Sequence, residues 1–350
     1  MTYDNNLFME HLRKMIQIPT VSNADPEKMD IEAFLKLHAY LEEAYPLVHQ
    51  KMTREVIGRA GLLYTWKGNG KSSQLPLMMT AHQDVVPEGD WSMWKYPPFS
   101  GEIADGFVWG RGSTDSKCNI QAYMDALELL IAEGFEPEYD LYFAFGYNEE
   151  IMGGPEPAAQ LIADELRRRN VQLGCLIDEC GGIQKTADGS QYGFIFTCEK
   201  GYADFEFSKI DSGGHSATPG KHSALGRIGE VACILEANPM EPVLTEAAVK
   251  QLEATVPFMK DKHLAELCKD VRKNWAELLP LLAEDRGYNA MIRTTTAVTM
   301  AGGSAQANVM PEKAWLIANN RLLPGQTLDD LWAHYKKILP EDIDVRLVKG

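Results

Sequence analysis

One imidazole and a set of carboxylates stand at separated points in the first half of the chain: His82 with Asp84, Asp115, the adjacent Glu149 and Glu150, and Asp178 with Glu179. A histidine nitrogen among carboxylate oxygens suits a transition metal, zinc first, because calcium and magnesium prefer shells made of oxygen alone. A shared carboxylate can also hold two ions, as in two-metal hydrolases. In such a site Glu149 and Glu150 could divide the labour, one binding metal and the other serving as general base, while Asp84 could orient the imidazole. Each residue also has an ordinary structural use. His82 could be a satisfied core histidine, Asp115 a helix cap, Glu149 and Glu150 favourable charge at a helix N-terminus, and Asp178 a turn residue before Gly181 and Gly182. Their shared position weighs against four unrelated uses, since open α/β sheets place their sites just past strand ends.

The elements that must position them are readable from periodicity. Leu75 to Ala81, Asp140 to Tyr147 and Val171 to Ile177 predict buried strands, each followed by candidate residues. Asp115 lies in a glycine-rich turn, Gly110 to Lys117, ahead of a helix predicted over Asn119 to Glu133, where Ile120, Met124, Leu127 and Ile131 recur at helical spacing and Gly134 stops it. A further helix is predicted over Pro157 to Asn170, ending in three arginines that suit the dipole. The fold class is therefore α/β, a sheet flanked by helices. Near residue 198 the pattern changes to alternation, with Ala203, Phe205 and Phe207 against Asp204 and Glu206. A second domain over 198–350 follows the first over 1–197, with a helix over Ala224 to Glu236, helical segments between Thr245 and Glu284, strands at Thr294 to Met300, Ala314 to Arg321 and Ile343 to Val348, and a helix after Thr327. That order predicts an α+β two-layer sandwich.

Composition narrows the partners. A net charge of −16 over 350 residues repels nucleic-acid phosphates and anionic lipid, so a small molecule is the expected partner, with no nucleic acid and no membrane. No apolar run approaches the length of a membrane span, and Met1 to Glu10 has two acids and no basic residue, which argues against a signal peptide. Six cysteines without a Cys-x-x-Cys pair predict a cytoplasmic chain whose thiols are mostly core residues. Walker A, Gly-x-Ser-x-Gly and Gly-x-Gly-x-x-Gly signatures are missing.

The runs Ala81-His82-Gln83-Asp84-Val85-Val86-Pro87, Trp94 to Gly101, Gly110-Arg111-Gly112-x-x-Asp115, Asn148-Glu149-Glu150 and Asp178-Glu179-x-Gly181-Gly182 together resemble the zinc aminoacylase, carboxypeptidase and deacylase family. That family includes acetylornithine deacetylase and succinyl-diaminopimelate desuccinylase, and the likeness is strongest to its carboxypeptidase S and N-acyl-amino-acid hydrolase branch. The resemblance implies a mixed-sheet catalytic domain carrying two zinc ions, with cobalt and manganese as alternatives, and a lid domain that mediates a homodimer. On its pattern His82 and Asp178 bind one metal, Glu150 binds the other, Asp115 bridges them, Glu149 is the general base and Asp84 orients the histidine. In the lid, His215 of Gly213-Gly214-His215-Ser216 reaches a partner's active site to stabilise an oxyanion, while Asn308 and Arg321 contact substrate, Arg321 through a carboxylate.

The activity so implied is hydrolysis of the amide bond of N-acyl amino acids or short peptides with a free carboxylate, through a metal-bound water and a glutamate base. Three features depart from the family pattern. Ser116 stands where an acid is common and Cys118 where glycine is common. The sequence ends at Gly350, before the family's return to the catalytic domain and the histidine that completes the second metal site, and His11, His38, His49, His222, His263 and His334 do not match that ligand's context. The alternative is accordingly a truncated or degenerate member serving as a non-catalytic binding or dimerisation module.

Overall fold

Residues 4–151, 154–179, 181–185 and 189–350 are described by the computed structural model, and contacts separate the chain into two units, Met1–Cys180 and Gly181–Gly350. The first unit runs α1 (Asn5–Ile16), α2 (Ile31–Ala44), α3 (Pro46–Lys51), β1 (Thr53–Ile57), β2 (Gly61–Trp66), β3 (Leu77–His82), a short hairpin of β4 (Glu102–Ala104) and β5 (Phe107–Trp109), α4 (Lys117–Ala132), β6 (Leu141–Gly146), α5 (Ala158–Arg168) and β7 (Cys175–Ile177). Its five-stranded sheet has the order β1-β2-β6-β3-β7 and is mixed: β3 runs parallel to β6 and β7, whereas β1, β2 and β6 pair antiparallel.

Alternation along β2 and β6 covers both faces of this sheet. Leu62, Tyr64 and Trp66 join Phe143 and Phe145 on one face, packed with Ile120, Met124 and Leu127 of α4 and with Leu37 and Leu41 of α2. Leu63, Tyr142 and Ala144 point the other way, onto Ile162 and Leu166 of α5. Burial on both faces keeps the strands in one register, since a slip of one residue would exchange the two sets.

The strand predicted over Val171 to Ile177 is shorter than its apolar run. Asn170 takes a left-handed φ of 55°, and the N–H groups of Asn170 and Val171 donate to the carbonyls of Arg167 and Leu166, so these residues close α5 and pairing begins only at Cys175. The cysteine expectation fails more broadly. Of the described cysteines only Cys268 is buried, Cys118 is partly so, and Cys175, Cys198 and Cys233 are exposed, while Cys180 lies outside the described residues. Cys175 sits on the edge strand, and Cys233 points away from the buried stripe of its helix.

The second unit opens with the hairpin β8 (Gly182–Lys185) and β9 (Gln191–Phe194), followed by β10 (Gly201–Ile210), β11 (Gly214–His215), α6 (Ala224–Ala237), the helices α7 (Glu246–Thr255), α8 (Lys262–Leu267), α9 (Trp275–Glu284) and α10 (Arg286–Met291), then β12 (Thr295–Gly302), β13 (Val309–Met310), β14 (Lys313–Leu322), α11 (Leu328–Ile338) and β15 (Asp344–Lys349). β12, β14, β10 and β15 form an antiparallel sheet. Phe205 and Phe207 of β10 pack against Ile228 and Val231 of α6 and Tyr335 of α11, the two-layer arrangement that the alternation predicts. The helices between β11 and β12 bury a core of their own around Leu252, Leu278 and Leu282. Among the described residues no helix is long and apolar enough to cross a membrane.

Gln83, fully buried at the end of β3, ties three elements together. Its side-chain amide donates to the carbonyls of Ala60 and Phe145 at 2.8 Å each and pairs with His38 Nε2 at 2.8 Å. Burial, opposed by the bond to Gln83, holds His38 below its ordinary value. Gln83→Leu strands these groups without partners and is expected to cost roughly 2–4 kcal/mol in urea unfolding, against less than about 1 kcal/mol if water takes the amide's place.

Candidate metal centre

The parallel register of β3, β6 and β7 does the positioning. His82 ends β3 opposite Gly146, so the residues after β6 and those after β7 emerge at the same edge of the sheet. Asp84 then anchors the first crossing. Fully buried, it accepts the backbone N–H of Glu149 on Oδ1 and that of Glu150 on Oδ2, both at 3.1 Å, and its Oδ1 lies 3.3 Å from His82 Nδ1. Its backbone carbonyl is 2.9 Å from the same ring nitrogen. With Nδ1 so engaged, Nε2 is the nitrogen His82 offers to the site.

Carboxylates surround that nitrogen. Asp115 Oδ1 lies 2.9 Å from it, Glu179 Oε2 3.3 Å and Glu149 Oε2 3.9 Å. Two groups bring their ligand atoms within 4.8 Å of one another, His82 with Asp115 and Glu150, and His82 with Glu149 and Glu179. Asp178 turns elsewhere. Its Oδ1 accepts from Thr80 Oγ1 at 2.5 Å and from the N–H of Glu179 at 2.9 Å, while its neighbour Glu179 faces the histidine. Glu179 has no assigned role in the sequence pattern; β7 ends at Ile177, before both acids, and spacing does not say which of two adjacent acids the following turn directs inward.

Asp115 does not cap the following helix. Ser116 is the N-cap residue of α4, and its hydroxyl, instead of capping, accepts the backbone N–H of His82 at 3.2 Å. The Asp115–Ser116 peptide is cis. Glu149 and Glu150 likewise precede α5 by several residues, and Asn148 fastens that loop, its side chain accepting the N–H of Ala158 at 2.8 Å and donating to the carbonyl of Glu156 at 3.1 Å. Cys118 lies in the first turn of α4 with its Sγ 3.1 Å from the Thr114 carbonyl, and burial pushes its thiol up.

Among the described residues no lysine or arginine forms an ion pair with Asp115, Glu149, Glu150 or Glu179. Charge therefore accumulates, and it shifts the acid–base groups. Burial opposes the imidazolium of His82, but hydrogen bonds to Asp84 and Glu179 outweigh it and push the group up to about 11. Glu149 is pushed up to about 7, first by burial and then by Glu179, Glu150 and Asp84, against the lowering influence of His82. Glu150 is raised by burial and by Asp115, and Glu179 is lowered by its bond to His82. A divalent cation is the charge that this donor set fits, one nitrogen and several carboxylate oxygens suiting zinc, cobalt or manganese.

The other sequence candidates lie in the second unit. His215 and Asn308 adjoin, because β11 pairs with β13 with His215 opposite Val309, and the N–H of Ser216 donates to the Asn308 carbonyl at 3.2 Å. Both are exposed. The N–H of Ala217 donates to His215 Nδ1 at 3.0 Å, which leaves the ring proton on Nε2. Arg321, exposed on β14, lies over the Tyr202 ring at 4.8 Å and donates to Asn319 Oδ1 at 3.4 Å. The remaining histidines meet other groups: His11 meets Asp125, His38 meets Gln83, His49 meets Tyr64, His222 meets Glu230, His263 meets Glu277 and His334 meets the Asn238 carbonyl.

Known proteins resemble the chain in sequence and in fold. The profile of peptidase family M20/M25/M40 matches residues 78–316. Carboxypeptidase S of Saccharomyces cerevisiae is 34% identical over 91% of this chain and 58% of its own length, and the N-fatty-acyl-amino acid synthase/hydrolase PM20D1 of Bos taurus is 35% identical over 95% and 66%. The chain thus spans less than two thirds of these curated relatives. Among solved structures, the M20 metallo-carboxypeptidase Sso-CP2 of Sulfolobus solfataricus superposes with a TM-score of 0.61 at 17% identity, covering 98% of this chain and 78% of that one. Human carnosine dipeptidase 1 gives 0.58 at 15%, covering 99% and 77%. At such identities these two establish the fold alone.

Because a metal must displace the proton that His82 retains to about 11, metal binding should release a proton, and apparent affinity should rise about tenfold per pH unit through the neutral range. Calorimetric zinc titrations in buffers of different ionisation enthalpy would read that release. A pH-independent affinity would exclude His82 as a ligand.

Proposed function

Since the chain belongs to peptidase family M20/M25/M40, we propose that it hydrolyses the amide bond of N-acyl amino acids or short peptides bearing a free carboxylate, using divalent metal held by His82, Asp115 and Glu150, with Asp178 or Glu179 completing the His82 side. The observation that carries this reading is the single imidazole nitrogen of His82 ringed by carboxylates on three separate segments, with Glu149 poised near neutrality. The relatives, a carboxypeptidase and an N-fatty-acyl-amino acid synthase/hydrolase, support the substrate class.

Bound metal would supply acidification of water and polarisation of the scissile carbonyl. The chain's own groups do the rest. Glu149, split between its two protonation states at neutral pH, takes a proton at its carboxylate from the attacking water and returns it to the leaving amine. Asp84 fixes both the ring of His82 and the backbone that carries Glu149 and Glu150, which keeps acceptor and ligand in a constant relation. His215, with its proton on Nε2, suits donation to a developing oxyanion, reaching from a second copy of the chain in a homodimer formed through the lid unit. Asn308 stands beside it as a substrate contact. Arg321 presents an exposed guanidinium to a substrate carboxylate, and its stacking on Tyr202 preorganises that fork.

The donor count favours unequal metal sites. Both candidate groups draw on the same Nε2, which can bind one ion, so a second ion would rely on carboxylate oxygen among the described residues. This favours a second reading, a metal-loaded module without turnover. The two separate cleanly. Elemental analysis should show one tightly held metal per chain, lost in His82→Ala, with a second bound only at higher metal concentration. Glu149→Gln should keep the metal while hydrolysis of N-acetyl amino acids and dipeptides falls about 10²- to 10⁴-fold. Turnover retained in that variant would overturn the assignment of Glu149, and a fully loaded parent without turnover would favour the non-catalytic module. Arg321→Ala should raise KM far more than it lowers kcat; equal effects would place Arg321 elsewhere in the cycle.

A further inference from the structure

Among the described residues Lys117 is the only buried lysine or arginine, with no exposed surface at all. Enclosing an ammonium is costly: burial pushes Lys117 down to about 7, the charge of Asp84 opposes this, and among the described residues no carboxylate forms an ion pair with it. Its Nζ instead donates to two backbone carbonyls at the C-terminal end of α1, Met15 at 3.0 Å and Ile18 at 2.6 Å. That is the end where the helix dipole favours a cation.

The other end of the side chain grips the glycine-rich turn. The backbone N–H of Lys117 donates to the Gly112 carbonyl at 3.1 Å, and a Cβ placed on Gly112 would stand 3.1 Å from the Lys117 Cδ and 2.9 Å from Val85 Cγ1. The turn is therefore pressed between the lysine stem and the residue that follows Asp84. One position earlier, Ser116 is bonded to the backbone of His82. Asp115 thus sits at the apex of a turn pinned on one side to β3 and on the other to α1. Attachment of α1 to α4 does not itself need the lysine, because His11 meets Asp125 at 2.6 Å and Met15 packs into the core with Ile120 and Met124. A methionine at 117 would fill the same volume without the desolvation cost.

We propose that Lys117 is a positioning residue for the metal centre: the hydrogen bonds of its Nζ fix the turn against α1 so that the Asp115 carboxylate is held 2.9 Å from His82 Nε2 despite the repulsion of the neighbouring acids. This rests on the reading of Asp115 as a metal ligand. The lysine touches neither substrate nor metal and acts only through Asp115.

The test uses the full 350-residue chain and Co²⁺ alone, followed by its visible absorption and by calorimetry. Lys117→Met and Lys117→Gln are compared with Leu41→Ala, a core truncation remote from the turn. Lys117→Met is expected to keep the far-UV circular dichroism of the parent and to bind Co²⁺ about 10- to 100-fold more weakly, with faster amide exchange over residues 112–117. Lys117→Gln, which retains one donor, should fall between. Leu41→Ala should lower the thermal midpoint and leave Co²⁺ affinity unchanged. Should Lys117→Met fail to fold, the glutamine variant and its exchange over the turn decide the matter. Parent-like affinity in a folded Lys117 variant overturns the proposal alone, as does an equal loss in Leu41→Ala, which would show that affinity follows global stability. A parent that binds no Co²⁺ overturns the metal reading and this proposal together.

Discussion

A carboxylate with no access to water, that of Asp84, holds the candidate centre together. Both of its oxygens are committed to backbone N–H groups of the Glu149–Glu150 pair, and the same side chain backs the ring of His82. A buried charge of this kind is tolerable only when its lone pairs are filled by well-directed donors. The loop after β6 is thereby obliged to lie against the loop after β3. Replacing the carboxylate with an amide would turn an NH2 donor toward one of the two N–H groups, and the loops could not keep the same approach.

The two loops show how backbone geometry and charge share the work. Parallel pairing brings the ends of β3, β6 and β7 to one edge, but strand register alone leaves each side chain several directions to choose from. Backbone N–H groups donating to Ser116, Asn148 and Asp84 remove that freedom. The resulting crowd of acids makes His82 hold its proton against burial, while burial together with that crowd raises Glu149 toward neutrality, so both shifts follow from placement.

Much of this was legible in the residues. Helical spacing from Ile120 to Ile131 and alternation from Ala203 to Phe207 correspond to α4 and β10, because both elements bury one side only and the burial writes its period into the sequence. Residues ahead of Leu75 were harder: every position of β2 is buried, which erases alternation, and β1 is too short to show it. Val171 to Leu173 read as strand because they are apolar, although a helix-closing motif uses them. In the site, His82, Asp115, Glu149 and Glu150 come together at the positions their strand ends imply. The choice between Asp178 and Glu179, and the roles of Ser116 and Lys117, depend on contacts made across the fold, which spacing along the chain does not encode.

The parallel pairing of β3 with β6 also has a kinetic side. β1 and β2 are joined by a tight turn and can zip locally, whereas Leu77 meets Leu141 only after the β4–β5 hairpin and α4 have been threaded between them. Long loops of this kind must be closed before their contacts repay the entropy, so the edge carrying the acids is completed late in folding. An ion that requires this edge would have little to bind in the transition state. It would act afterwards as a latch, leaving the rate of folding nearly unchanged and slowing the rate at which the finished sheet comes apart.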